Sequence, residues 1–315
     1  MLPDPTEVQI PETYSTTVDS HVRITNYPDS ATGVTPIIVV TLNRPDKFNA
    51  MTLDMIKILE RFFKVVTLDN RVKSIVLTGA GKAFCSGIDL NLDASSASKV
   101  PVREIRDVGG SLALAMYNCT KTVIVAYNGL AVGIGMTSTL AAGIRIASAK
   151  SAFGFPFSRI GLTMESASSF FLPRMVGYSK ATYLLSTGKT YPADSKVLDG
   201  IFAEILEKPE EVLPRALELA KEISEEVSTM AVHLNRQLIW RNGGSAEAAH
   251  LDDSPLLADM FAGRDHREAK RAFFKRDKPK FVDELDKNAP RTYPWWTEIS
   301  VQTNSKPVHE TKSKL

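Results

Sequence analysis

The sequence predicts an α/β fold, because strand patterns and helix patterns alternate along the first half of the chain. Runs rich in β-branched residues, which are typical of strands, occur at residues 37–42, 74–78, 122–126 and 143–148. Apolar residues at helical spacing lie between these runs, and strands that alternate with helices typically form parallel sheets. The second half of the chain becomes helical in pattern, so we expect a helical section after the α/β part.

The composition of the 315-residue chain is that of a globular protein, since 43% of the residues are hydrophobic and 23% are charged. Lys and Arg number 38 against 36 Asp and Glu, and this balance disfavours a dedicated nucleic-acid-binding protein. The two cysteines, Cys85 and Cys119, are too few for a disulfide framework or a cysteine-based zinc site. The uncharged stretch Thr122–Ile144 is long enough to span a membrane, but its glycines and polar residues favour a buried core segment.

The elements of the first half follow from local signals. A polar arm is expected at residues 1–20, and the first strand run ends in the turn Asn43–Asp46. Thr52 stands where it would cap a helix over about 53–67, and a second helix is expected over about 102–118.

The second half shows three further helical patterns. They cover residues 209–227, a segment that opens at Ser254–Pro255, and residues 266–276. The predicted organisation is therefore an arm at 1–20, a core at 21–227, a C-terminal helical segment at 228–285 and a polar tail, expected to be mobile, at 286–315.

Two glycine-bearing turns follow predicted strands, at Lys82–Leu90 and at Asn128–Gly135. Glycines let a backbone bend sharply and let a ligand approach the main chain. Two such turns at neighbouring strand ends are able to aim one N–H each at a common point, which is the geometry of an oxyanion hole. Taken alone, such glycine-bearing turns are more often ordinary chain reversals.

Glu165 is the only carboxylate between Lys150 and Asp194, and its sequence neighbours are mostly apolar. Such a residue is either a general base in a dry pocket or a glutamate at the start of a helix. Burial would raise its pKa, whereas the N-terminus of a helix near Ser166 would lower it, and the sequence leaves both directions open.

Larger motifs carry a resemblance to a known family. They are, in chain order, Leu42–Pro45, Phe48–Met51, Gly79–Leu90, Asn128–Ser148, Phe153–Gly154 with Gly161, and the C-terminal stretch Phe261–Phe281. Together they resemble the enoyl-CoA hydratase/isomerase (crotonase) superfamily over about residues 22–282. The resemblance implies a crotonase-like spiral of ββα units, C-terminal helices that build homotrimers or homohexamers, and an acyl-CoA substrate.

Two positions distinguish the chain from the classical hydratases of this superfamily, which use two glutamates. The matching positions hold Thr137 and Phe157. The segment Pro156–Glu165 is instead similar to the peroxisomal Δ3,Δ2-enoyl-CoA isomerases, in which the glutamate matching Glu165 is the catalytic base. The resemblance thus implies an isomerase that converts 3-enoyl-CoA to trans-2-enoyl-CoA. The pair Ser166–Ala167 departs from that pattern, since those isomerases often have glycine or another small residue there.

The resemblance also implies where the substrate lies. The thioester oxygen is expected between the main-chain N–H groups of Ile88 and Ile134. The implied substrate contacts are Lys47, Phe84, Ser86, Gly87, Asp89, Leu90, Gly133, Thr137 and Phe157. Lys47 or Lys82 would favour the CoA phosphates, and Phe84 is as consistent with core packing as with the pocket. CoA is part of the substrate, so neither a separate cofactor nor a metal is expected.

The chain ends in Ser313, Lys314 and Leu315, a triplet typical of a peroxisomal address that an import receptor reads. A lysine-rich solvated tail is the alternative. Two other functions also stay open: a hydratase or dehydratase-like enzyme of specialised metabolism, with Thr137 or a water in place of the missing glutamate, and a non-catalytic acyl-CoA-binding protein.

Overall fold

The computed structural model describes residues 8–91 and 101–301. Its strands are β1 Val22–Asn26, β2 Ile37–Leu42, β3 Ser74–Gly79, β4 Ala83–Cys85, β5 Thr122–Tyr127, β6 Leu130–Val132, β7 Ile144–Ser148, β8 Ala152–Gly154, β9 Thr190–Pro192 and β10 Glu204–Leu206. Its helices are α1 Leu53–Val66, α2 Val108–Asn118, α3 Ile134–Thr137, α4 Ser168–Val176, α5 Tyr178–Thr187, α6 Pro209–Glu226, α7 Thr229–Trp240, α8 Ala246–Phe261, α9 Arg264–Lys275 and α10 Leu285–Asn288.

The strands form two sheets. The larger sheet has the order β1-β2-β3-β5-β7-β10, and the smaller one has the order β4-β6-β8-β9. Pairing in the larger sheet is parallel except between β1 and β2, and in the smaller sheet it is parallel except between β8 and β9. This arrangement confirms the predicted α/β class.

A strand–strand–helix unit recurs along the chain. Strands β3, β5 and β7 of the larger sheet are each followed by a three-residue strand of the smaller sheet and then by a helix, and β1 and β2 precede α1 in the same manner. The predicted repetition of ββα units is therefore confirmed. The parallel strands β4, β6 and β8 end at the same edge of the smaller sheet, so the loops that follow them lie together.

The main core lies under α1, which the sequence pattern predicts with nearly the observed bounds. Thr52 caps this helix, since its Oγ1 accepts the N–H of Met55 at 3.2 Å. The buried face of α1 carries Met55, Ile56, Leu59, Phe62, Phe63 and Val66. A second apolar cluster forms where α6 packs on the larger sheet through small residues such as Ala216 and Ala220.

Two predicted helices have different bounds in the structure. The helix expected over 102–118 is a short 3-10 turn at Val102–Glu104 followed by α2, which begins only after Asp107. The helix expected to open at Ser254–Pro255 is α8, which begins nine residues earlier at Ala246, so that Pro255 lies in its interior. Ser245 is the true cap, because its Oγ accepts the N–H of Ala248 at 3.1 Å.

The described parts of the N-terminal arm and of the C-terminal tail make specific contacts with the rest of the protein. In the described part of the arm, the Tyr14 hydroxyl donates to Asp69 at 3.1 Å and its ring packs edge-on against Phe62. In the described part of the tail, the guanidinium of Arg241 lies 4.3 Å from the ring centre of Trp296. These aromatic side chains hold the described parts of the two segments against the rest of the protein. The predicted peroxisomal triplet lies outside the described residues.

Candidate active site

A cavity of about 640 Å³ lies at the edge of the smaller sheet where β4, β6 and β8 end. Its walls come from the loop after β4, the turn before α3, the first residues of α2 and the segment that leads from β8 to α4. No helix among the described residues is long and apolar enough to cross a membrane, and those residues hold no cluster of metal-ligating side chains.

Two backbone turns face each other in this cavity. Gly87 and Gly133 adopt φ values of +107° and +54°, a region that residues with a Cβ rarely occupy. A Cβ added to Gly133 would lie 3.8 Å from the Gly87 Cα, so the two turns are in direct contact.

The next residue in each turn offers a free main-chain donor. The residues that flank Ile88 bond to Met51, with the Met51 N–H donating to Gly87 at 2.8 Å and the Asp89 N–H donating to Met51 at 2.9 Å. The Ile88 N–H therefore points away from Met51. Ile134 is the first residue of α3, where an N–H has no acceptor within its own helix. Two main-chain donors without acceptors among the described residues, on turns that touch each other, are the components that an oxyanion hole requires.

Cys85 lies beneath these turns and has no role as a nucleophile. Its side chain is fully buried, and burial raises the pKa of its thiol to about 12. A Cβ at Gly135 would come within 2.7 Å of the Cys85 carbonyl oxygen, so glycine at this position lets α3 pack directly on β4.

Glu165 reaches the cavity from the segment before α4. Thr137 donates its hydroxyl to Oε1 of Glu165, and Ser166 donates its hydroxyl to Oε2. Burial raises the pKa of Glu165 above its ordinary value of 4.5, the negative charge of Asp107 raises it further, and the two hydroxyl donors offset only part of this shift. Because α4 begins at Ser168, Glu165 stands outside the helix, and burial decides the direction that the sequence left open.

Sequence reasoning missed Asp107, which also lines the cavity. Its Oδ1 accepts the N–H of Gly110 at 2.5 Å as the cap of α2, and the N–H of Ser166 at 3.1 Å. The signal available was a polar residue directly before the apolar, glycine-bearing run that opens at Val108. The predicted start of the helix near residue 102 obscures this capping signal at Asp107.

Most of the predicted substrate contacts lie together around the cavity. The lining includes Lys47, Ser86, Gly87, Ile88, Asp89, Leu90, Gly133, Ile134, Phe157 and Glu165. Thr137 is fully buried and takes part through its hydrogen bond to Glu165. The Asp89 carboxylate pairs with Arg44 at 2.9 Å.

Phe84 is a correction to the predicted contacts. Its side chain is fully buried, lies outside the cavity lining and packs edge-on against Tyr127, with ring centres 4.7 Å apart. Core packing, rather than substrate contact, therefore explains this aromatic residue. Lys82 likewise lies outside this cavity and lines a separate surface depression.

Comparisons with known proteins place this geometry in context. A family model described as enoyl-CoA hydratase/isomerase matches residues 33–284. Enoyl-CoA hydratase AFT3-1 of Alternaria alternata is 42% identical over 249 residues, which are 79% of this chain and 84% of that protein. The 1,2-epoxyphenylacetyl-CoA isomerase of Escherichia coli is 30% identical over 254 residues, 78% of this chain and 95% of that protein.

A solved structure shares the fold. The crystal structure of a probable enoyl-CoA hydratase/isomerase from Mycobacterium abscessus superposes with a TM-score of 0.71 at 29% identity, covering 79% of this chain and 96% of that one.

Proposed function

The chain belongs to the enoyl-CoA hydratase/isomerase family, and from this premise we propose that it moves the double bond of a 3-enoyl-CoA to carbon 2, with Glu165 as the acid–base group. The observation that carries the proposal is the Glu165 carboxylate, whose two oxygens are held by hydroxyl donors beside the paired glycine turns. One carboxylate suffices for this 1,3 proton shift, because the same group removes the proton and returns it.

The proposed reaction conserves atoms and electrons. Glu165 takes a proton from carbon 2, and the electron pair of that C–H bond delocalises onto the thioester oxygen to give a dienolate. The N–H groups of Ile88 and Ile134 stabilise the oxyanion, a contribution of about 3 kcal/mol for one such donor. Glu165 then returns the proton to carbon 4, and the double bond now joins carbons 2 and 3. Burial supports this role, because the raised pKa of Glu165 makes it a stronger base toward a carbon acid.

Hydration of a 2-enoyl-CoA is the second candidate, and the names of the relatives favour it over isomerisation. Three Alternaria alternata proteins that are 41–42% identical to this chain are named enoyl-CoA hydratases. In this reaction Glu165 would take a proton from water, the resulting hydroxide would add to carbon 3, and Glu165 would deliver the proton to carbon 2. Thr137 or a bound water would stand in for the missing glutamate. Asp107 is a further polar group at the cavity.

A direct comparison of the two reactions tests the proposal. We expect purified enzyme to isomerise 3-enoyl-CoA thioesters faster than it hydrates the 2-enoyl thioesters of the same chain length. Glu165→Gln should lower the isomerisation rate by about 100-fold or more, whereas Glu222→Gln on the exposed face of α6 should not. Faster hydration would reverse the order of the two candidates. Full turnover in Glu165→Gln would contradict both and favour a different base or a non-catalytic protein.

We also propose that Ser313, Lys314 and Leu315 direct the protein to peroxisomes, where an import receptor would read them. The test is the complete chain with a fluorescent protein fused to its N-terminus, expressed with and without the last three residues. We expect peroxisomal fluorescence only with the complete terminus. Peroxisomal import of the truncated chain would refute this address.

A further inference from the structure

We propose that Asp107 is a positioning residue for Glu165, which holds the turn after Glu165 in place and biases the carboxylate by its charge. This inference rests on the proposed role of Glu165 as the acid–base group. Asp107 lines the same cavity as Glu165 but comes from a different element, the N-terminus of α2.

The backbone that follows Glu165 adopts a strained conformation. Ser166 and Ala167 adopt φ values of +58° and +52°, so two consecutive non-glycine residues occupy the left-handed region. Each such residue costs free energy that the surrounding structure must supply. Left unsupported, this turn would relax, and the Ser166 hydroxyl that donates to Glu165 would move with it.

Asp107 supplies that support. Its Oδ1 accepts the Ser166 N–H at 3.1 Å and the Gly110 N–H at 2.5 Å, so a single oxygen joins the strained turn to the first turn of α2. Gly109 makes the approach possible, because a Cβ at this position would overlap Oε2 of Glu165. The two hydrogen bonds of Asp107 and the absence of a side chain at Gly109 together set the distance between α2 and the Glu165 carboxylate.

Asp107 also acts on Glu165 through its charge. Asp107 is the charged side chain that acts on Glu165 among the described residues. The groups that donate hydrogen bonds to the carboxylate are the neutral hydroxyls of Thr137, which comes from α3, and of Ser166, the next residue in the chain. A negative charge beside Glu165 disfavours its ionised form and keeps its affinity for a substrate proton high. The support of the turn and the effect of the charge can be tested separately, because Asp107→Asn keeps an oxygen acceptor but removes the negative charge.

The experiment compares Asp107→Asn, Asp107→Ala and the double variant Asp107→Ala/Ala167→Gly. Asp54→Asn is the matched control, since Asp54 is an exposed acid in the first turn of α1. For each protein we would measure kcat and KM for the faster of the two enoyl-CoA reactions, the pH profile of kcat/KM and the thermal midpoint.

Asp107→Ala should lower kcat by about 10-fold with little change in KM, because the base is misplaced while the binding cavity remains. Adding Ala167→Gly should restore part of kcat, since glycine adopts this backbone conformation without support. Asp107→Asn should keep most of kcat but retain activity to lower pH than the wild type, because the base ionises more readily. Asp54→Asn should change none of these.

Two results would overturn the proposal. One is that both Asp107 variants behave as Asp54→Asn does. The other is that kcat falls only in proportion to thermal stability, with an unchanged pH profile and no rescue by Ala167→Gly, which is the behaviour of a simple helix cap.

A carboxyl titration separates this proposal from the proposed function. The ¹³C signal of Glu165 is assigned by its loss in Glu165→Gln, and its midpoint should move to lower pH in Asp107→Asn. If Glu165→Gln keeps full turnover but this midpoint still moves, the proposed function fails and the influence of Asp107 on Glu165 stands. If turnover depends on Glu165 but the midpoint and kcat are the same in wild type and in the Asp107 variants, only the inference about Asp107 fails.

Discussion

At the scale of single residues, Glu165 combines burial with two hydroxyl partners from different parts of the chain. Ser166 is its sequence neighbour, whereas Thr137 comes from α3 and therefore fixes the carboxylate relative to the turn that carries Ile134. This arrangement places the proposed acid–base group and one proposed amide donor on connected elements. Motion of α3 would move the Glu165 carboxylate and the Ile134 N–H together, so the distance between these two groups would be preserved.

The raised pKa of Glu165 makes the stability of the protein depend on pH in a definite direction. The folded state holds the Glu165 proton more tightly than the unfolded state, so stability from this group is present at pH below its ordinary value of 4.5 and is lost as pH rises through the folded-state pKa. Glu165→Gln removes this dependence. We therefore expect the variant to gain stability relative to wild type as pH rises.

Urea unfolding of both proteins from about pH 4 to about pH 8 measures this difference. Glu222→Gln, an exposed glutamate on α6, serves as the control and should not reproduce the trend. A stability difference between Glu165→Gln and wild type that stays constant across this range would contradict the buried environment of Glu165.

The sequence alone identifies Glu165 and the two glycine turns but not Asp107. Glu165 stands out because it is an isolated carboxylate in an apolar stretch, and the turns stand out because they contain glycines. The Asp107 carboxylate accepts N–H groups from Gly110, in the first turn of its own helix, and from Ser166, which is 59 positions away. No local pattern records the second of these contacts.

At the scale of elements, the long strands and the amphipathic helices follow from sequence, whereas the short strands do not. Strands β4, β6 and β8 have three residues each, too few for an alternation or a β-branched run to be recognised. Their pairing depends on the longer strands that precede them. These same strands position the loops of the cavity, so sequence reasoning finds the loops without finding the sheet that aligns them.

Helix α6 covers the larger sheet through small residues, and its close packing leads to a prediction. Ala220 is fully buried, and its carbonyl accepts the Ser74 hydroxyl of β3 at 3.0 Å. Ala220→Leu would push the helix from the sheet, and we expect a loss of about 1–3 kcal/mol in the free energy of unfolding.

The matched control is Lys221→Leu, the same new side chain one residue later, where the lysine side chain is 64% exposed. Urea unfolding should show little change for this control. Equal stability of the two variants would mean that α6 does not pack on the sheet as closely as the structure shows.

At the scale of the whole molecule, the C-terminal helices carry a surface that the rest of the described chain leaves uncovered. Phe273 and Phe274 of α9 are 79% and 80% exposed, and Leu257 and Phe261 of α8 are more than half exposed. Large apolar side chains that are exposed on neighbouring helices commonly mark an interface between proteins. The resemblance to a trimer-forming family predicts that the partner is another copy of this chain.

We therefore predict that the protein is a trimer or a hexamer and that the Phe273→Ser/Phe274→Ser double variant dissociates toward monomers. Both rings are exposed in the single chain, so their replacement removes interface area without opening a cavity in the core.

Light scattering coupled to size-exclusion chromatography gives the molar mass, to be compared with 34.6 kDa for one chain. Ile58→Ser, at an exposed apolar position on α1, is the control and should leave the assembly intact. A wild-type protein that elutes as a monomer, or a double variant that remains fully assembled, would show that this aromatic surface does not hold the subunits together.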